Sequence, residues 1–281
     1  MAEISAKDVA ELRKGTGAGM MDCKRALEET GGDIDEAKKW LREKGLSAAD
    51  KRSGRAASEG AVEVIVEGNV GVVVELNCET DFVAKGDTFG DFLNALAQHV
   101  LSGSADDIEN QPYDGSTVGE TVKSLAGTLG ENISLGRVVR MESADGIIDG
   151  YKHLQNDRGV IGVLVEVGGV DAGDEKARAV AHDVALHIAS AAPRWVRRED
   201  VPADVVEAER EVLTNLTRNE GKPEQAIPKI VDGRINGFYK DNVLLEQGFV
   251  RDPKQTISAI VEGLGSGAEI RSFARVRVGD E

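Results

Sequence analysis

Apolar residues recur every three to four positions at the start of the chain, run together or alternate in its middle, and return to helical spacing in a long stretch after residue 200. In the first region Ser5 is placed to cap a helix over 7–14 that turns Val9 and Leu12 inward. A second helix follows over 20–29 and a third over 33–44, with Ile34, Ala37 and Leu41 on one face. Gly15-Thr16-Gly17-Ala18-Gly19 joins the first two. Its glycine spacing resembles a phosphate-binding loop, but that fingerprint needs a strand before it, and here a helix precedes it, so it reads as a tight turn. Gly31-Gly32-Asp33 is a second stop and cap. A bundle this small is marginal alone and is expected to present an exposed face. The small and charged stretch 48–60 reads as a linker, beginning as the frayed end of the third helix.

From Ala61 the chain repeats itself. Gly71-Val72-Val73-Val74-Glu75-Leu76 returns as Gly162-Val163-Leu164-Val165-Glu166-Val167, and each run closes a hairpin with a strand before it, over 61–66 and 147–153. A helix follows each hairpin, with Leu96-Ala97-Gln98-His99-Val100 matching Val184-Ala185-Leu186-His187-Ile188. A second helix and a strand close each half, over 121–129 and 133–141 in the first and 256–264 and 270–278 in the second. The expected architecture is α+β: a three-helix bundle over 1–55, then a duplicated β-β-α-α-β antiparallel core. Its copies occupy 56–145 and 146–281, with helices covering the apolar face of each sheet. The second copy carries an insert over 200–242. Two helix-length arms, 202–218 and 223–239, flank Asn219-Glu220-Gly221-Lys222, with Val205, Val206, Val212, Leu213 and Leu216 set against Ile227, Ile230, Val231 and Ile235. This reads as an antiparallel helical hairpin.

The repeat singles out one stretch. After the first apolar run comes Asn77-Cys78-Glu79-Thr80-Asp81-Phe82-Val83-Ala84-Lys85-Gly86-Asp87, a charged loop with an aromatic at its centre. Its counterpart, Gly169-Val170-Asp171-Ala172-Gly173-Asp174, is shorter and has no aromatic. A residue found in one copy only is not required by the shared scaffold, so Phe82 is expected at the surface as a recognition residue. His99 and His187 hold equivalent positions in both copies, which favours packing.

Charge and composition narrow the function. The chain of 281 residues has 34 basic and 50 acidic side chains, net −16, which argues against a nucleic-acid or anionic-membrane binder. Residues 1–55 carry 12 of the basic and 11 of the acidic groups, so the remaining 22 basic and 39 acidic ones make the core strongly negative and suited to a partner with a basic face. Cys23 and Cys78 form neither a disulfide framework nor a zinc site, and read as reduced thiols. No apolar run reaches membrane-spanning length, and residues 1–5 lack the features of a secretory signal, which makes the cytoplasm the expected location. There is no G-x-x-x-x-G-K-[ST] loop, paired His/Cys spacing or Gly-x-Ser-x-Gly elbow, and no carboxylate isolated in apolar surroundings. A binding or regulatory protein is expected rather than an enzyme.

Several strings then resemble one family in the right order: Leu12-Arg13-Lys14-Gly15-Thr16-Gly17-Ala18-Gly19-Met20-Met21-Asp22-Cys23-Lys24-Arg25-Ala26-Leu27, Thr80-Asp81-Phe82-Val83-Ala84-Lys85, Gly221-Lys222-Pro223, Val231-Asp232-Gly233-Arg234 and Leu244-Leu245-Glu246-Gln247. They resemble bacterial elongation factor Ts, the guanine-nucleotide exchange factor of elongation factor Tu. The resemblance implies a ubiquitin-associated-like bundle, a two-part core, a protruding antiparallel coiled coil, and no cofactor of the protein's own. It implies that Thr80, Asp81, Phe82 and Val83 meet the partner's GTP-binding domain, with Arg13, Met20, Met21 and His153 in the same contact region, and that Phe249, Val250 and Arg251 touch the partner's next domain. Position 86 is Gly where the family commonly has Asn or Asp. Edge strands in the duplicated core leave a two-to-two complex open beside a one-to-one complex. The competing reading is a binding module whose bundle docks another chain and whose core dimerises.

Overall fold

The computed structural model describes residues 4–50 and 52–280, so Met1, Ala2 and Glu3 of the leader reading and Lys51 of the linker reading lie outside the described residues. Helices α1 (Ala6–Thr16), α2 (Met20–Glu29) and α3 (Ile34–Asp50) pack around Leu12, Cys23, Ala26, Leu27 and Ala37. Ser5 and Asp8 form a capping box at the start of α1, and Gly17 ends that helix with φ 69°, a left-handed conformation that glycine adopts without steric cost. The glycine-rich join is therefore a helix stop.

Helix α3 runs six residues past the expected end at Lys44. Gly45 does not break it, because the helix is held from outside. The first half of the core follows in the order β1 (Glu59–Glu67), β2 (Val70–Cys78), α4 (Asp81–Ala84), α5 (Asp87–Ser102), β3 (Pro112–Tyr113), β4 (Ser116–Thr117), α6 (Val118–Leu129) and β5 (Ile133–Glu142). A Cβ on Gly127 of α6 would stand 2.7 Å from the Gly45 Cα, so the two helices touch backbone to backbone. Arg42 on α3 also donates to Ser116 Oγ at 2.9 Å. The bundle is thus docked on the core. The linker is tied down as well: Asn132 Nδ2 donates to the Arg55 carbonyl at 2.7 Å.

The second half repeats the pattern with β6 (Gly146–Gln155), β7 (Arg158–Gly168), α7 (Glu175–Ala191), the insert α8 (Ala203–Asn219) and α9 (Ile227–Asn242), then β8 (Gly248–Phe249), β9 (Asp252–Thr256), α10 (Ile257–Glu262) and β10 (Glu269–Arg277). The sheets are antiparallel, in the orders β1-β2-β5 and β10-β7-β6, so each closing strand pairs with the second strand of its hairpin. The duplication reaches detail that the apolar pattern does not carry. Each half has a small two-stranded turn, β3-β4 or β8-β9, before its second helix. In each half a Gln after the first helix holds the equivalent histidine, His99 to Gln111 at 3.0 Å and His187 to Gln247 at 2.9 Å.

One expectation changes. The sheets were expected to face helices on one side only, but both faces of each sheet are covered. Val72, Val74 and Leu76 pack under α5 and α6, and Val163, Val165 and Val167 pack under α7 and α10. The alternate residues Val62, Val73, Ile148, Leu164 and Val276 form an apolar layer between the sheets. The molecule is a four-layer helix–sheet–sheet–helix stack, and a strand buried on two faces reads as a continuous apolar run rather than an alternating one. Gly71 and Gly162, equivalent in the repeat, let the sheets close. A Cβ on Gly71 would lie 2.6 Å from Ile148 Cγ2, and one on Gly162 would lie 2.7 Å from Val73 Cγ1. Gly162→Val must therefore part the sheets. It is expected to lower the urea midpoint by the equivalent of about 1–3 kcal/mol, the usual range for overpacking; an unchanged midpoint would show that the layer has slack.

The hairpin also departs from expectation. Ile227, Val231 and Ile235 of α9 are buried, but Val212 and Leu216 of α8 are exposed. Two helices share a single seam, and here α8 gives it Thr217, which is buried, and Arg210, which reaches Asp232 at 2.7 Å. Arg234 of α9 crosses back to Thr217 Oγ1 at 3.1 Å.

Candidate functional site

Strand β2 ends at Cys78, and the chain turns at once into α4, a single helical turn. The stretch read as a loop is thus partly helical. Thr80 caps it, its side-chain oxygen accepting from the Val83 amide at 3.3 Å. Ala84 is buried and Val83 packs against the first-half core, while Phe82 is 84% exposed. Large aromatics bury 150–250 Å² when covered, and this one is left almost wholly in water on an ordered turn.

The base of the turn is stiff. The Glu131 carboxylate, just after the Gly130 stop of α6, accepts the amides of Glu79 at 3.1 Å and Thr80 at 3.0 Å through one oxygen and the Thr80 hydroxyl at 2.6 Å through the other. In return Glu79 accepts the Asn132 amide at 2.6 Å, and it pairs with Arg55 at 3.3 Å. That backbone amide, foremost, holds the Glu79 carboxyl below its usual range. The Cys78 thiol donates to the Thr80 carbonyl at 3.1 Å, and burial, followed by the Glu131 charge, pushes its pKa up to about 11. It stays a neutral donor rather than a reactive thiolate. Asp81 meets Lys85 one turn on, at 2.5 Å, and that hydrogen bond holds its carboxyl below the ordinary value. Gly86 caps α5 without a side-chain bond.

The second half meets this end of the stack. Arg158, which opens β7, reaches Glu59 at 2.5 Å and the Gly60 carbonyl at 2.8 Å, and its charge also lowers the Asp81 carboxyl. Since Glu59 pairs with Cys78 across β1 and β2, the β6–β7 turn lies beside the root of α4. His153, exposed near the end of β6, is carried there, with its Nδ1 at 3.3 Å from the Tyr151 hydroxyl.

Arg13, Met20 and Met21 come together elsewhere, on the bundle. With Ile4, Val9 and Ala10 they line an open groove of about 570 Å³, flanked by Lys14 and Lys24. Met20 and Met21 are 59% and 67% exposed, and flexible thioethers suit a surface that adapts to a partner.

The segment 249–251 divides. Phe249 is only 8% exposed and lies against the His187 ring, centroids 6.2 Å apart, where Tyr113 faces His99 in the first half. Its side chain is a core group, and Val250, 38% exposed, and Arg251 remain as the outward residues. Both are held on α7: His187 Nδ1 accepts the Val250 amide at 3.3 Å, and Arg251 pairs with Asp183 one turn before. Gln247 donates its Nε2 to the Asp241 carbonyl at 2.8 Å, so its oxygen faces His187 Nε2 and must receive a proton from it. The imidazole is therefore neutral, and burial lowers its pKa. A histidine with a lowered folded pKa resists the proton that the unfolded chain accepts, so its contribution to stability is lost as pH falls below the unfolded value of about 6.5. Urea midpoints at about pH 7.5 and 5.5 are expected to fall less with acid in His187→Gln than in the parent; identical slopes would rule His187 out.

Reasoning from sequence missed Glu131, Asn132 and Arg158, which hold the turn or adjoin it. The available signal was the stop Gly130-Glu131-Asn132, where polar groups beside a helix end are free to reach another loop. Among the described residues no cluster of His, Cys, Asp and Glu could hold a metal ion, and no helix is long and apolar enough to cross a membrane.

The family model for elongation factor TS matches residues 79–280, well over half of the chain. The chain belongs to the elongation factor Ts family. Its similarity to curated members runs end to end. It is 44% identical over 285 residues to the elongation factor Ts of Micrococcus luteus, covering 100% of both chains. It is 45% identical over 284 residues to that of Renibacterium salmoninarum, covering 99% of this chain and 100% of the relative. It is 45% identical over 290 residues to that of Symbiobacterium thermophilum, covering 100% and 93%. As a member of the elongation factor Ts family it is a translation elongation factor, and α4 lies at the start of the matched region.

Proposed function

We propose that this protein is a guanine-nucleotide exchange factor for elongation factor Tu, acting in the cytoplasm without covalent chemistry and without a cofactor of its own. The observation that carries the reading is the 84% exposure of Phe82 on a capped and clamped helical turn. Membership of the family supports it. Phe82 enters between helices of the partner's GTP-binding domain, and Asp81 fixes the contact by hydrogen bonding. The displaced helix withdraws groups near the magnesium ion, the phosphate loop rearranges, and magnesium and GDP are held more weakly. GTP then enters and the exchanger leaves. The bundle, as a ubiquitin-associated-like module, adds a second contact through Arg13, Met20 and Met21. Thr80, Val83 and His153 border the first contact, the 249–251 segment reaches the next domain through Val250 and Arg251, and α8 and α9 form the protruding coiled coil. The net charge of −16 suits a basic partner face and no nucleic acid.

Linkage binds the two ligands: a protein that weakens GDP is itself weakened by GDP by the same factor. The test is stopped-flow release of labelled GDP from elongation factor Tu. Release should accelerate with the concentration of this protein, and excess GDP should dissociate the complex. No acceleration would refute the proposal. Sedimentation of the same mixture reads whether the complex is one-to-one or two-to-two.

A further inference from the structure

The clamp beneath α4 carries an inference that rests on the proposed exchange activity and deepens it. An exposed aromatic contributes to a partner's distortion only if its own base does not yield. A single helical turn has little stability of its own, since helix nucleation is unfavourable and the turn closes very few backbone bonds. Something outside α4 must hold it, and one carboxylate meets that need. Glu131 takes three donors from Glu79 and Thr80, residues 52 and 51 positions away in sequence, and Thr80 is the cap of the turn. The Thr80 oxygen that donates to Glu131 also accepts the Val83 amide, so the chain of bonds runs from Glu131 through Thr80 into the residue next to Phe82. The Glu79 side chain, in turn, holds the Asn132 amide and Arg55 rather than α4, and the Cys78 thiol on the Thr80 carbonyl is a weak donor.

We infer that Glu131 is a positioning residue for nucleotide exchange: it touches neither nucleotide nor reacting atoms, and acts by fixing the orientation in which Phe82 is presented. Hydrogen bonds to a charged acceptor are roughly twice as strong as neutral ones, which suits a clamp that must bear load on contact. A glutamine keeps the shape and one acceptor oxygen. Its carbonyl can take the two amides while its amide nitrogen donates to the Thr80 oxygen, so Glu131→Gln should preserve most of the clamp, whereas Glu131→Ala removes it.

The test uses the full-length protein and elongation factor Tu loaded with labelled GDP, in a cycle with Phe82→Ala. Glu131→Ala is expected to slow GDP release about tenfold, a loss of the size that one or two charge-assisted bonds support. Glu131→Gln should lie close to the parent rate. In the Phe82→Ala background, Glu131→Ala should add no further slowing, because the residue it positions is gone. A merely structural role would slow both backgrounds alike, and that outcome would overturn the inference, as would parent-rate release by Glu131→Ala. A second readout needs no partner. In the free protein, Glu131→Ala should speed solvent exchange of the Glu79 and Thr80 amides, and Thr80→Val should loosen the Val83 amide. Unchanged amide exchange would overturn the clamp whatever the exchange assay reads. Failure of the parent protein to release GDP would instead strike the proposed function and leave the amide result standing.

Discussion

Phe82→Ala should slow GDP release from elongation factor Tu by roughly ten- to hundredfold while leaving the urea midpoint of the free protein where it was. The first half follows from burial on contact: covering one Phe side chain contributes roughly 1.5–3 kcal/mol, and about 1.4 kcal/mol is a tenfold change in an equilibrium constant. The second half follows from exposure. At 84% exposed the ring has almost no intramolecular contacts to lose, and surface substitutions of this kind stay within about 0.5 kcal/mol. Linkage adds a third expectation. The variant should bind nucleotide-free elongation factor Tu more weakly, and GDP should weaken that binding by a smaller factor than in the parent. Stopped-flow release and a titration with nucleotide-free partner measure both. An unchanged release rate would remove Phe82 from the mechanism, and a large fall in stability would mean that the ring is not free.

Phe89→Ala should do the reverse. Phe89 lies one heptad further on, in the first turn of α5, and is fully buried among Val72, Val74, Leu76 and the facing helix residues. Truncating such a ring leaves a cavity that rigid sheet and helix layers fill poorly, at a cost of about 3–5 kcal/mol. Against a total stability of roughly 5–15 kcal/mol that is a large share. The urea midpoint should drop sharply, yet exchange per folded molecule, measured well below the unfolding transition, should stay near the parent value. A stable Phe89→Ala protein would contradict the packing of α5 on β2. A folded but inactive one would show that α5 transmits more to α4 than its position suggests. The two aromatics together separate recognition from folding within a single short segment.

Much of this fold is legible in the sequence. Periodicity placed the first three helices, both hairpins and both arms of the insert, because those signals are local. The repeat did more than periodicity could. It set Phe82 apart, since the second copy has no aromatic there, and it assigned His99 and His187 to packing, where each meets a glutamine. Tertiary packing decides the rest. Helix α3 continues through Gly45 because Gly127 meets it, a contact invisible from either stretch alone. Phe249 looked like a partner residue beside Val250 and Arg251, yet its ring lies under His187, because a turn with one side chain inward and the next outward has no local mark. Val212 and Leu216 fit the helical period but miss the seam, since only the crossing of two helices decides which stripe is covered.

By itself, then, the sequence determined the order of the longer helices and strands, their duplication, and the residue that breaks the duplication. These depend on neighbours within a turn or a strand, or on comparing one stretch with another. Only the tertiary structure decided that the two sheets stack on each other through Gly71 and Gly162, and that Glu131 grips the root of α4 from across the fold. Backbone approach and hydrogen-bond direction are properties of residues brought together from far apart, and no spacing rule along one strand or helix contains them.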